Sequence, residues 1–176
     1  MGSGNAGATN MARVFGWGAG ILTLAGDAAK AVICMVLANL WIGDVGLALA
    51  GMGCILGHCY PVLHDFKGGK GVASAAGFVL GFHWTFLPVA LIMFLVPFVL
   101  TSYVSLGSLL MYSGLLIQLI IEGQKGFFAP ASQAVLVEMY IIQAVLTAMA
   151  FWQHRENIKR LIAGKENKTV LWHKSE

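Results

Sequence analysis

The sequence predicts an all-α protein, a polytopic bundle of transmembrane helices, and three observations carry that prediction. Of its 176 residues, 58% are hydrophobic and 11% charged, whereas an ordinary soluble domain carries about 25% charged residues. Apolar runs near the length of roughly 20 residues needed to cross about 30 Å of hydrocarbon recur at 14–42, 45–63, 85–104, 109–121 and 134–152. The basic residues are distributed asymmetrically among the segments that separate these runs, as cytoplasmic loops of membrane proteins require.

The segments follow in order. "GSGNAGATNMAR" (2–13) is small, polar and glycine-rich. The run 14–42 is interrupted by Asp27 and Lys30, which share a face at helical spacing and are expected to pair. Gly43-Asp44 marks a turn, 45–63 returns, and "HDFKGGKGVASAAG" (64–77) is a second polar glycine-rich loop. A short apolar segment reaches His83, and "HWTF" turns with Trp84 at an interface. Residues 85–104 cross again, with Pro88 and Pro97 as sites for kinks. "SYVSLGS" (102–108) reads as a turn, 109–121 as a crossing, 122–133 as a loop and 134–152 as the last span. "HRENIKRLIAGKENK" (154–168) reads as a polar, basic helix and tail. The whole, residues 1–176, reads as one integral-membrane domain of about six spans.

Alternation then puts the N-terminus, the 64–77 loop, the 102–108 turn and the tail on one side. That side holds Arg13, Lys67, Lys70 and the six basic residues Arg155, Lys159, Arg160, Lys165, Lys168 and Lys174. The other side holds Asp44, Glu122 and Lys125. The positive-inside rule assigns the first side to the cytoplasm, and every glycine-rich polar segment lands there. A basic tail alone has no nucleic-acid-binding fold behind it, so no nucleic-acid partner is expected. Cys34, Cys54 and Cys59 sit in apolar runs without a C-x-x-C pair and read as small buried hydrophobes. No signal-peptide pattern and no internal repeat is present.

The polar segments suggest chemistry. Glycines let backbone N–H groups converge on an anion; Ser3, Thr9 and Asn10 add donors, and Arg13 adds a cation able to fork around phosphate. In "FKGGKGVAS", Lys67 and Lys70 bracket two glycines and a third follows, the pattern of a phosphate nest opening a helix. It departs from a Walker A loop because Gly71 follows Lys70. His154 and Asn157 lie three apart on one helical face, while Ser105 and Ser108 suit either helix–helix glue or ligand contact. His58 in "GHCYP" reads as a satisfied interface histidine, and His64, His83 and His173 offer no metal spacing. No G-x-S-x-G elbow, H-x-x-x-x-D dyad or electropositive cysteine occurs. The residues alone therefore support a cytoplasm-facing anion site on a membrane scaffold. It would belong to a lipid or phosphate-ester enzyme, or to a transporter of a phosphate-bearing anion or lipid headgroup.

The ordered set "GSGNAGATNMAR", "DAAK", "GHCYPVLHDFKGGKGVASAAG", "YVSLGS" and "HRENIKRLIAGKEN" resembles the PlsY-type acyl-phosphate:glycerol-3-phosphate acyltransferases of bacteria. The resemblance implies transfer of an acyl group from acyl phosphate to the 1-hydroxyl of glycerol 3-phosphate. The products would be lysophosphatidic acid and phosphate, formed without cofactor or metal at the cytoplasmic membrane. It implies that Ser3, Gly4, Asn5, Thr9 and Asn10 hold the acyl phosphate, with backbone donors from Gly68, Gly69 and Gly71. Arg13, Lys70, Ser105, His154 and Asn157 would hold glycerol 3-phosphate, with Lys67 at either anion; Ser3, Arg13, Lys70, His154 and Asn157 are the catalytic set. His154 or a substrate phosphate oxygen would take the hydroxyl proton. Membrane lipid is an expected partner, and the enzyme that produces acyl phosphate is a candidate one. Members of the family carry a span ahead of the GSGN segment, so seven spans are expected where six are counted here.

Overall fold

The computed structural model describes residues 1–2, 4–127 and 133–169. Its elements are α1 (Ala8–Phe15), α2 (Trp17–Ile42), α3 (Asp44–Cys59), a 3-10 turn (Val62–His64), α4 (Val72–Phe82), α5 (Phe86–Thr101), α6 (Val104–Gln124), α7 (Gln133–Gln153) and α8 (Arg155–Ile162). No strand occurs among the described residues. The all-α fold class stands.

Helices α2 to α7 fall on the six apolar stretches, but they are unequal. Four segments are long and apolar enough to cross a membrane: α2, α3 extended through its 3-10 turn to His64, α6 and α7. Helix α4 has 11 residues and rises about 16 Å at 1.5 Å per residue, half of the hydrocarbon thickness. Helix α5 has 16 residues, with Pro97 inside it.

Packing explains the bundle. Met35, Ile55, Tyr112 and Leu146 are fully buried, while Leu40, Trp41 and Leu100 face outward, as side chains do when the solvent is lipid. Small residues bring backbones together. A Cβ on Gly77 of α4 would meet the Ala28 carbonyl of α2 at 2.2 Å, and one on Gly107 of α6 would meet the Phe94 carbonyl of α5 at 2.5 Å. At the end of the bundle where α4 meets α5, Gln118 Nε2 donates to the Thr85 carbonyl (3.0 Å) and to Glu122 Oε1 (2.7 Å).

Three boundaries differ from the sequence expectation, each because a glycine-rich or small-residue stretch continues as helix. Ala8–Phe15 is helical rather than part of an open loop. "VASAAG" belongs to α4, so the polar loop ends at Gly71. The break between α5 and α6 is only Ser102–Tyr103, with Ser102 at φ 63°, and the rest of "YVSLGS" is the first turn of α6. The cysteines are free, but only Cys59 is buried; Cys54 is half-buried and Cys34 is exposed on α2.

Candidate active site

The polar segments converge on one cavity of about 670 Å³. Helix α1 supplies its first wall. Gly20 of α2 lies so close to Ala12 that a Cβ would stand 2.5 Å from the Ala12 methyl, which seats α1 against α2. Thr9 and Arg13, one helical turn apart, line the cavity with Asn5 and Asn10. Arg13 is in the last turn of α1, where the helix dipole favours a cation. Ser3 lies outside the described residues, and Gly4 is not among the cavity's lining.

The second glycine segment supplies a helix N-terminus. Gly68 N–H donates to the Cys59 carbonyl (3.2 Å) and Gly69 N–H to the His58 carbonyl (3.1 Å). These two N–H groups are engaged by the end of α3, and of the two glycines Gly69 lines the cavity while Gly68 does not. The open backbone donors begin one residue later. Lys70, Gly71, Val72 and Ala73 line the cavity at the start of α4, where helix geometry leaves the first N–H groups without partners and the dipole favours negative charge. Lys67 is exposed, and neither Lys67 nor Gly68 lines the cavity.

Helices α6, α7 and α8 close the far side through a network the sequence did not announce. Lys70 Nζ donates to Asn157 Oδ1. Asn157 Nδ2 donates to Glu166 Oε1 (2.6 Å), as does Ser105 Oγ (3.1 Å). Arg160 Nε donates to Glu166 Oε2 (2.9 Å), and the Glu166 side chain is only 4% exposed. Ser105 and Asn157 therefore stand at the cavity, but their donors are directed at Glu166. Glu166 is the single acidic residue between Asn157 and Ser175, the one signal that could have marked it. Nearby, Thr169 N–H donates to the Ser102 carbonyl (2.9 Å), tying the tail to the α5–α6 break.

Burial sets the protonation of two of the titrating groups that face the space, Lys70 and His154. Burial pushes Lys70 down to about 8; Glu166 opposes this, and Arg160 and Arg13 add to it. Burial, followed by the Lys70 charge, pushes His154 down to about 4. His154 is 2% exposed, and its Nδ1 lies 2.8 Å from the Ala150 carbonyl. A carbonyl can only accept, so Nδ1 carries the proton and Nε2 is left as an acceptor.

The wall also contains Asp27 and His58, which the sequence reading kept apart from the site. Lys30 pairs with Asp27 as expected, at 2.5 Å, and also reaches His58.

Residues 1–164 match the family described as glycerol-3-phosphate acyltransferase. The chain belongs to this family. It is 38% identical to the glycerol-3-phosphate acyltransferase of Finegoldia magna over 95% of this chain and 79% of that protein. It is 46% identical to the one from Shouchella clausii over 98% and 82%. A crystal structure of PlsY (YgiH), an integral membrane glycerol 3-phosphate acyltransferase in its glycerol 3-phosphate form, superposes with TM-score 0.84. That likeness comes at 33% identity, covering 96% of this chain and 80% of the other. The lysophosphatidic acid form gives 0.83. This acyltransferase is thus a multi-pass membrane enzyme, and the acyltransferase reading prevails over the transporter one.

Proposed function

We propose that the enzyme moves an acyl group from acyl phosphate to the 1-hydroxyl of glycerol 3-phosphate, at a cavity that opens to the cytoplasm. One observation carries the reading. Arg13, Lys70 and the N-terminus of α4 face the same space as His154, so cationic and dipolar anion binding adjoins a neutral hydrogen-bond acceptor. Relatives solved with glycerol 3-phosphate and with lysophosphatidic acid supply the acceptor and product classes. The basic loops supply the cytoplasmic orientation.

Acyl phosphate is a mixed anhydride, so no acyl-enzyme is needed. The 1-hydroxyl oxygen attacks the acyl carbonyl carbon, the carbon–oxygen bond to phosphate breaks, and inorganic phosphate departs. Arg13 and Lys70 hold the two phosphates, and the N–H groups of Lys70 and Gly71, together with the first ones of α4, face the growing negative charge. Asn5, Thr9 and Asn10 contact the acyl-phosphate head. Ser105 and Asn157 act through Glu166, fixing Lys70 and the α8 wall. His154 Nε2 accepts the hydroxyl hydrogen bond and orients the nucleophile. With its pKa near 4, it is a poor final proton acceptor, so a phosphate oxygen of the donor takes the proton.

The test is turnover by the purified protein in detergent or liposomes given palmitoyl phosphate and labelled glycerol 3-phosphate. Labelled lysophosphatidic acid is expected. Equal use of palmitoyl-coenzyme A, or liposome flux of glycerol 3-phosphate without product, would overturn the reading.

A further inference from the structure

Outside the network just described, one cluster of ionisable side chains faces the cavity with no role assigned. Lys30 Nζ donates to Asp27 Oδ1 at 2.5 Å and approaches His58 Nδ1 at 2.8 Å. His58 Nδ1 is 3.2 Å from Asp27 Oδ1. His58 and Asp27 side chains are 9% and 13% exposed, and both line the cavity. An ammonium can only donate. Lys30 Nζ makes the closer approach to Nδ1; with Nδ1 accepting from it, the ring hydrogen stands on Nε2.

That nitrogen abuts the phosphate segment. A Cβ at Gly69 would stand 2.1 Å from His58 Nε2 and 2.3 Å from the Ala6 carbonyl. The missing side chain lets the ring edge lie against the loop, one residue before the open donors of Lys70 and Gly71. Among the described residues no hydrogen-bond partner takes the Nε2 hydrogen. The Asp27 charge, whose Oδ2 has no partner among the described residues, is offset by Lys30, so the wall does not repel an anion.

We infer that His58 is a further substrate-contacting residue, donating from Nε2 to an oxygen of the acyl phosphate beside the start of α4, with Lys30 and Asp27 as positioning residues that fix its tautomer. The inference rests on the proposed reaction. It predicts opposite protonation for the two histidines of the cavity: His58 offers a hydrogen from Nε2, whereas His154 offers a lone pair there.

Steady-state kinetics with palmitoyl phosphate compare wild type with His58→Gln, His58→Asn and His58→Phe. A Gln amide keeps a donor near the place of Nε2, whereas Asn reaches only to the place of Nδ1 and Phe has no donor. The Asn and Phe variants should lose roughly 100-fold in kcat/KM for palmitoyl phosphate. The Gln variant should stay within about tenfold of wild type, and KM for glycerol 3-phosphate should hold in all three. A loss in kcat assigns the donor to the carbonyl oxygen and a rise in KM for palmitoyl phosphate assigns it to phosphate; either supports the inference. Nitrogen-15 NMR of the ring, assigned by its disappearance in His58→Gln, should show hydrogen on Nε2. Full activity of His58→Phe, equal loss in the Gln and Phe variants, or hydrogen on Nδ1 would overturn it. A wild-type enzyme that makes no product from palmitoyl phosphate would instead overturn the proposed reaction, a distinguishable failure.

Discussion

Two glycine-rich segments border the cavity, and they use glycine for different physical ends. In the N-terminal one, nothing lies within 4 Å of where a Cβ would sit on Gly4 or Gly7. Around Gly4 and Gly7 its backbone is open, and the side chains that reach the cavity are those of Asn5 and of α1. In the second, a Cβ on Gly68 would meet the His58 carbonyl at 2.0 Å and one on Gly69 would meet the His58 ring at 2.1 Å. There Gly68 and Gly69 allow α3 to press against the loop and hold the start of α4 in place. Similar composition therefore marks a cavity wall in one case and a packing seam in the other.

The sharpest test of that contrast removes the cation which the seam positions. Lys70→Met should lower kcat/KM for glycerol 3-phosphate by about 100-fold or more, the scale for loss of a buried charged partner, measured by labelled product formation. A loss under tenfold would shift the weight to α1. Next comes pH. Burial holds the folded-state pKa of Lys70 down at about 8, and anion binding needs its charged form. The kcat/KM should thus be level below pH 8 and fall about tenfold per unit above it, and Lys70→Arg should remove that limb. Identical substitutions then separate the two segments. Gly69→Ser should destabilise the protein by about 2–3 kcal/mol through overpacking, read as a lower midpoint of thermal unfolding in detergent. Gly7 is the N-cap of α1 and has no side-chain cap, so Gly7→Ser should stabilise by about 0.3 kcal/mol. Equal effects at the two positions would erase the distinction.

The sequence made the helices legible because a bilayer demands long apolar runs, and it made the convergence of motifs legible through the placement of charge. Arg13, Lys70, His154 and Asn157 all line the cavity because each lies in a polar segment between spans. What stayed hidden depends on distance rather than pattern. The partners of Gly68 and Gly69 are carbonyls ten or so residues earlier, at the end of α3, and no local rule reveals that these N–H groups are spent. Glu166 looked like one acid in a basic tail, yet three donors from two helices meet on it. Asp27 and Lys30 announced their pairing through helical spacing, but His58 joins them from 28 residues away in sequence. Helix starts at Ala8 and Val104 were obscured because small polar residues read as loop until packing makes them helix.

Lys70 carries one more consequence. An amine with a pKa near 8 spends part of its time uncharged at mildly alkaline pH, and an uncharged amine is the natural target of a mixed anhydride. In the proposed reaction, the residue that holds the reactants is thus one that an acyl phosphate could acylate. Its donation to Asn157, with any phosphate bound beside it, keeps the proton on and the nucleophilic lone pair out of reach. In the proposed reaction, a phosphate bound beside Lys70 would hold the proton on its amine.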